Sequence, residues 1–317
     1  ALVLHNTGTY GPCCSANESV AMGTDDKEVV LEMYNPEDTT LYKPYAMSAN
    51  QAFNSEFMKD IRQQMMEGKQ PSACDQCWHD ESISIKSKRQ GMNEFYLQLP
   101  PHHLHPNNGG FDYDIDEMVR KPQVRSLDLK FDNKCNLHCL MCSSGDANLW
   151  VPLNKKMNKY LALQNVNLKD EQEVDLYIDD SHRSQWEPGP FPELLFEEIK
   201  SLVPQLQEIQ CTGGEPFINV HFIELLKYII DTGHAEHISL EVTTNGTKFV
   251  TEVMELLTHF RHIRMLISVD GTKGTYDYIR APYRYDLLLK RLKVLDEYFV
   301  SGRIKGLAEI SAVAMSY

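Results

Sequence analysis

The sequence lacks any run of about 18 uninterrupted apolar residues, which excludes a helical membrane span on pattern. Its opening shows no basic segment followed by an apolar stretch, so no secretory signal is expected. Positive charge is short: 31 Lys and Arg stand against 45 Asp and Glu, a formal net charge of −14. Tight non-specific binding to nucleic acid needs many phosphate contacts from basic side chains, so a bound polymer is disfavoured while a local basic groove stays open. No internal repeat and no low-complexity tract is present. Cysteine is scarce, with eight in 317 residues, yet seven of the eight fall into three tight groups. These are Cys13 with Cys14, Cys74 with Cys77, and Cys135 with Cys139 and Cys142; Cys211 stands alone. Cysteines this close rarely pair with each other. Grouped thiols in a chain of this size point to metal in a reducing compartment, and the expected location is cytoplasmic.

What is there is the composition of a globular protein. Apolar residues make up 42% and charged residues 24%, and 317 residues suffice for one large domain or two ordinary ones. Residues 1–120 form one compositional region. In it Phe53, Phe57, Ile61 and Met65 recur at helical spacing, with Asn54 or Ser55 as the candidate cap and Gly68 with Pro71 as the stop. The stretch 100–110, PPHHLHPNNGG, has the composition of a linker or surface loop.

From about residue 121 strand patterns alternate with helical ones. Strands are expected over 126–131, 208–213, 238–246, 263–271 and 308–317, with amphipathic helical stretches between them. Strand then helix, repeated, implies a parallel sheet with βαβ crossovers. Each strand ends in a polar or Gly-rich turn, which is where a βα barrel places its active site. The expected fold class is therefore α/β, a partial barrel over 121–317 preceded by a small domain over 1–120. The fifth strand falls at the end of the sequence, so the expectation is that the barrel continues past Tyr317.

Residues 135–142 read CNLHCLMC. Four Cys ligands saturate a structural zinc or a [4Fe-4S] cluster, whereas three leave one iron with an open position for substrate or cofactor. The C-x3-C-x2-C loop follows directly on a strand. Gly213-Gly214-Glu215-Pro216 closes the second strand, Thr243-Thr244-Asn245-Gly246 the third, and Ser268-Val269-Asp270-Gly271 the fourth. Together these motifs resemble the radical SAM superfamily, with Met141 at the apolar position of the cysteine loop; the resemblance covers 121–317. It implies a (β/α)6-type barrel, a [4Fe-4S] cluster on Cys135, Cys139 and Cys142, and S-adenosylmethionine (SAM) chelated by its amino and carboxylate groups. It further implies that Gly213, Gly214, Glu215 and Pro216 meet the SAM amino group through backbone or carboxylate. Thr244, Asn245, Ser268 and Asp270 are then the partners of its ribose and methionyl part, and Arg280 reaches its carboxylate. The reaction implied is one-electron cleavage of SAM to methionine and a 5′-deoxyadenosyl radical that takes a hydrogen atom from substrate. No general acid or base is identifiable, since the cofactor carries the chemistry. A reductant protein such as a flavodoxin or ferredoxin is the implied partner.

The earlier cysteines, PCC at 12–14 and Cys74-Asp-Gln-Cys77, resemble the twitch or SPASM-like segment that binds an auxiliary [4Fe-4S] cluster in some members of that superfamily. On spacing alone a structural zinc on Cys13, Cys14, Cys74 and Cys77 is comparable. Such additions go most often with modification of peptides and proteins, which is the leading expectation for substrate. Radical modification of a nucleotide or nucleic-acid base is the alternative within catalysis. A non-catalytic iron–sulfur carrier or metal-stabilised binding module is the alternative outside it. Bland assignments complete the reading. Cys211 is expected in the core, His102, His103 and His105 in a solvated loop, and His138 at the surface or beside a cluster sulfide. Trp78 is expected to shield the Cys77 site, and Met58, Met65 and Met66 to pack one helix. The insertion 143–190 is a lid or an inert elaboration. Gly302 to Glu309, which spells G-x-I-x-G-x-x-E, is expected to be a turn before the last strand.

Overall fold

A computed structural model of the chain describes residues 2–4, 10–13, 48–98, 123–163 and 193–313. Cys14, His102, His103, His105 and most of the insertion after residue 163 lie outside the described residues. No helix among the described residues is long and apolar enough to cross a membrane. The chain divides into two compact units, Ala1–Asp128 with Pro204–Leu206, and Leu129–Val203 with Gln207–Tyr317.

The first unit opens on two short antiparallel strands, β1 (Leu2–Leu4) and β2 (Tyr10–Gly11), followed by α1 (Ala49–Phe53) and α2 (Glu56–Met66). Phe53 ends α1, and the chain breaks at Asn54–Ser55 because the Ser55 hydroxyl caps α2, accepting from the Met58 amide at 3.3 Å. That shifts the buried face of α2 to Met58 and Ile61. Met66 is 58% exposed, so the expectation that all three methionines pack the helix is corrected for Met66. Next come α3 (Asp75–Ser82) and α4 (Lys88–Gln98). Cys74 ends the 3-10 turn Ser72–Cys74, and Cys77 is buried in the first turn of α3. The Trp78 indole N–H donates to the Pro71 carbonyl at 3.0 Å, and the Arg89 guanidinium lies 4.6 Å over its ring. The same guanidinium pairs with Glu81.

The division between the units falls inside β3 (Ser126–Leu129). Beyond it come α5 (Trp150–Leu163), α6 (Glu193–Leu202), β4 (Glu208–Cys211), α7 (Val220–Asp231), β5 (Ser239–Thr244), α8 (Thr251–Leu257), β6 (His262–Ser268), α9 (Lys273–Ile279), α10 (Tyr285–Val300) and β7 (Gly306–Ser311). In the second unit β4, β5, β6 and β7 pair in parallel in chain order, from Glu208↔Ser239 to Ser268↔Ser311. This is the α/β architecture of successive βαβ crossovers. Leu240, Val242, Ile263, Met265 and Ile267 form the buried face of β5 and β6, while Cys211 is buried on β4 as a small apolar residue. On the opposite face Arg264 of β6 reaches Glu241 of β5 and Glu309 of β7, both at 2.8 Å.

The last strand starts two residues earlier than its apolar pattern, at Gly306 rather than Ala308. Register sets the start: Gly306 pairs with Ile263, and the Ile263 amide donates to the Lys305 carbonyl at 2.8 Å. Residues 302–305 are the expected turn, while Gly306 to Glu309 belong to the strand itself.

Candidate active site

The motifs at 213–216, 243–246 and 268–271 sit at or just beyond the C-terminal ends of the parallel strands β4, β5 and β6, the cysteine loop follows β3, and Arg280 caps the C-terminus of α9. The cysteine loop is built from its polar neighbours. Asp132 accepts from the Lys134 amide at 2.9 Å, and the Asn133 side chain donates to the Ser144 carbonyl at 2.8 Å. The Asn148 amide donates to the Asn133 carbonyl at 2.9 Å, and the Asn148 side-chain oxygen accepts from the Cys135 amide at 3.0 Å. The Trp150 indole donates to the Cys139 carbonyl at 3.0 Å. Two further amides, of His138 and Leu140, donate to the carbonyls of Ala281 and Ile279 at 2.9 and 3.0 Å and so bind the loop to the end of α9. His138 also packs edge-on against Trp150, with ring centroids 5.7 Å apart.

Asn133, Asn148 and Trp150 were not singled out in the sequence, although an asparagine beside each end of a cysteine loop was a signal for such bracing. With Asn148→Ala the Cys135 amide loses its acceptor. The expected loss is roughly 1–3 kcal/mol, read as a lower thermal midpoint. An unchanged midpoint would show that solvent replaces the bond.

The Gly-Gly-Glu-Pro turn packs its backbone directly on this loop. Gly213 and Gly214 take left-handed φ values of 79° and 53°. The Glu215 amide donates to the Lys134 carbonyl at 2.9 Å, and a Cβ on Gly214 would overlap that carbonyl oxygen. The Glu215 side chain is fully buried. One of its oxygens accepts from the Thr244 hydroxyl at 2.6 Å and the Phe217 amide at 3.2 Å, and the other accepts from the Asn245 amide at 2.7 Å. Pro216, also buried, opens the 3-10 turn Pro216–Ile218 that this carboxylate caps. Glu215 thus ties the ends of β4 and β5 together, and both of its oxygens are engaged within the protein.

Asn245 continues the network. Its side-chain nitrogen donates to the Asn136 side-chain oxygen at 3.0 Å and to the Cys135 sulfur at 3.7 Å. Its side-chain oxygen accepts from the Thr247 hydroxyl at 2.7 Å. Ser268 ends β6 half-buried, and Met141 is half-buried in the cysteine loop. Arg280 is buried; it meets Asp270 at 2.6 Å and the Cys139 sulfur at 3.7 Å. The other oxygen of Asp270 accepts from the Val313 amide at 2.7 Å.

The thiols differ in environment. Cys139 is 4% exposed, and Cys135 and Cys142 are half-buried. Burial pushes the Cys135 thiol up to about 11. The hydrogen bond between Cys142 and Cys139 pushes the former up and holds the latter below the usual thiol range; burial adds to the first shift and Arg280 to the second. Among the described residues no three His, Cys, Asp or Glu side chains close around a single metal ion. Three thiols on one loop instead fit a multi-iron group, whose ligands are spread wider than the tetrahedral shell of one ion. Amide and guanidinium donors on two of the sulfurs suit thiolate ligands, which are conventionally hydrogen-bonded in such sites. The buried hydroxyls of Thr212 and Tyr276 have no hydrogen-bond partner among the described residues, so polar capacity beside the loop is left for a bound group.

The family model of the Radical SAM superfamily matches residues 129–307, more than half of the chain. The chain belongs to the radical SAM superfamily. Membership makes it an enzyme and implies a [4Fe-4S] cluster and SAM. Among curated relatives, the mycofactocin maturase MftC of Mycobacterium tuberculosis is 30% identical over 115 residues, 34% of this chain and 28% of that one. The sporulation killing factor maturation protein SkfB of Bacillus subtilis is 31% identical over 97 residues, 29% of this chain and 23% of that one. The matched stretches therefore span about a quarter of the length of these maturases. Among solved structures, Streptococcus suis SuiB bound to its precursor peptide SuiA aligns with 77% of this chain and 47% of that one, at 16% identity and a TM-score of 0.36.

Proposed function

We propose that this radical SAM enzyme modifies a peptide or protein by abstracting a hydrogen atom from it. The observation that carries this reading is the pair of sequence relatives: both are named for maturing a product, so the substrate class favoured is a precursor to be matured. In this reading Cys135, Cys139 and Cys142 hold the cluster. When bound and reduced, the cluster supplies the electron that cleaves SAM to the 5′-deoxyadenosyl radical. The protein's part is to position and to exclude water. The Glu215, Thr244 and Asn245 network holds the ends of β4 and β5 against the cysteine loop. Asn245, Ser268 and Asp270 stand at or just beyond the ends of β5 and β6, where SAM would be oriented.

The first unit is assigned an auxiliary [4Fe-4S] cluster on Cys13, Cys14, Cys74 and Cys77. The buried Cys77, the half-buried Cys74 and the Trp78–Arg89 stack beside them support that assignment. A flavodoxin or ferredoxin in the cytoplasm supplies the electrons.

The test uses the full-length protein purified without oxygen, reduced and given SAM, with 5′-deoxyadenosine followed by mass spectrometry and iron and zinc counted on the same sample. Deoxyadenosine with roughly eight irons per chain, two cubanes, is expected. Its absence from a sample that holds its clusters would point to a carrier. Zinc in place of the second set of irons would overturn the auxiliary assignment alone. Peptide and nucleotide fractions from source cells grown in deuterated medium then separate the substrate classes. Deuterium should enter the deoxyadenosine with the peptide fraction; entry only with the nucleotide fraction would overturn the proposed substrate class.

A further inference from the structure

Arg280 is 7% exposed, and a buried guanidinium needs its charge answered. Asp270 answers one edge of it: Nε donates to an Asp270 oxygen at 2.6 Å, and Nη2 stands 2.5 Å from the same oxygen. The planar fork then has little freedom, and its remaining nitrogen, Nη1, points at the Cys139 sulfur at 3.7 Å. Asp270 is itself fixed, because its second oxygen takes the Val313 amide at 2.7 Å. The backbone supports the same alignment, since the Arg280 amide closes α9 on the Tyr276 carbonyl at 2.8 Å and the flanking carbonyls of Ile279 and Ala281 hold the cysteine loop. Carboxylate, guanidinium and thiol thus form one chain from the end of β7 to the most buried of the three cysteines.

We infer that Arg280 is a positioning residue for the Cys139 thiolate, held there by Asp270, and that its hydrogen bond and charge raise the reduction potential of the cluster on that loop. The inference rests on the reading of Cys135, Cys139 and Cys142 as cluster ligands. Reduction adds negative charge to the cluster and its sulfurs, and a buried cation donating to one sulfur favours the more negative state. An Arg280 that serves the SAM carboxylate instead would act on SAM affinity and leave the potential alone, so the two roles separate experimentally.

The experiment is an equilibrium redox titration of the full-length, anaerobically purified protein, following the electron paramagnetic resonance signal that responds to SAM. Iron content and SAM Kd are measured on the same samples. Arg280→Gln keeps a donor and removes the charge. Its midpoint should fall by at least about 59 mV, which is a tenfold change in a one-electron equilibrium, with SAM Kd within about threefold of wild type. Arg280→Lys, which restores the charge, should recover most of the fall. An unmoved midpoint with SAM Kd weakened more than tenfold would overturn the inference and place Arg280 on SAM. Should either substitution strip the iron, wild-type protein labelled with 15N in arginine alone decides. Pulsed resonance on its reduced cluster should show a nitrogen coupling, and the absence of one overturns the inference. A wild-type protein with no SAM-responsive cluster would instead sink the underlying assignment of the loop.

Discussion

Gly214→Ala is expected to reduce 5′-deoxyadenosine formation to the level of Cys139→Ala, a chain that lacks one of the three thiols proposed to hold the cluster. Two effects add. Position 214 has φ +53°, which is left-handed backbone that an L side chain occupies at a cost of about 1–2 kcal/mol. The new Cβ would also overlap the Lys134 carbonyl oxygen and lie 2.9 Å from both the carbonyl carbon and the amide nitrogen of that residue. Those atoms are backbone, so no side chain can turn aside; either the turn or the cysteine loop must move, at a further 1–3 kcal/mol or so. Lys134 immediately precedes Cys135, so the movement is delivered to the first thiol of the loop. It also breaks the Glu215 amide bond to the Lys134 carbonyl. Gly213→Ala is the control. It has φ +79°, but its Cβ would meet the Lys130 side chain at 3.2 Å and the Asp132 carbonyl oxygen at 3.3 Å, contacts that small shifts relieve. It should retain iron and a measurable fraction of the product. Equal iron retention in the two variants would show that close approach at 214 does not matter to the site.

The motifs were legible because each is local and each falls at a strand end. The alternation in 239–244 and 262–268 belongs to strands buried on one face, and the Gly-rich or polar turn after each marks where the parallel sheet opens. What holds the motifs together was not legible, because it is long-range. Asn245 meets Asn136 across 109 positions and Arg280 meets Cys139 across 141. No spacing rule links such pairs; the crossovers bring them together. Two departures from the simple pattern have other causes. The α2 face moved because Ser55, not the apolar periodicity, sets where the helix starts. The start of β7 moved because pairing with β6 tolerates a glycine that strand propensity alone disfavours. Glu215 carried a family role in the sequence, but nothing local indicated that both its oxygens would be used to join β4 to β5.

Glu215→Gln is expected to gain stability relative to the wild type as pH rises from 4.5 to 8. Burial pushes the Glu215 carboxyl up from 4.5 to about 7, although hydrogen bonds from Thr244, Asn245 and Phe217 pull the other way. The sign follows from proton counting. Between the unfolded and folded values the folded chain holds a proton that the unfolded chain has lost. Stability from this group is therefore full below about 4.5 and falls as pH rises toward about 7. A difference of 2.5 pH units, 7 less 4.5, corresponds to on the order of 3 kcal/mol at 1.36 kcal/mol per unit. Glutamine imitates the protonated carboxyl in part: its nitrogen donates to the Thr244 hydroxyl and its oxygen accepts from the Asn245 amide, while the Phe217 amide, which shares the Thr244-side oxygen, loses its acceptor at a cost that does not change with pH. The variant has no proton to lose, so its stability lacks this slope, and the gap between the two proteins should open across the window. Urea unfolding of metal-free, thiol-reduced protein at intervals from pH 4.5 to 8 measures the gap, and taking the difference cancels the histidines common to both chains. A gap that stays constant with pH would mean that the three hydrogen bonds outweigh burial and that the carboxylate is ionised throughout. The expected sign identifies the opposite case, in which the turn beside the cysteine loop keeps an ionised carboxylate at a net loss of stability.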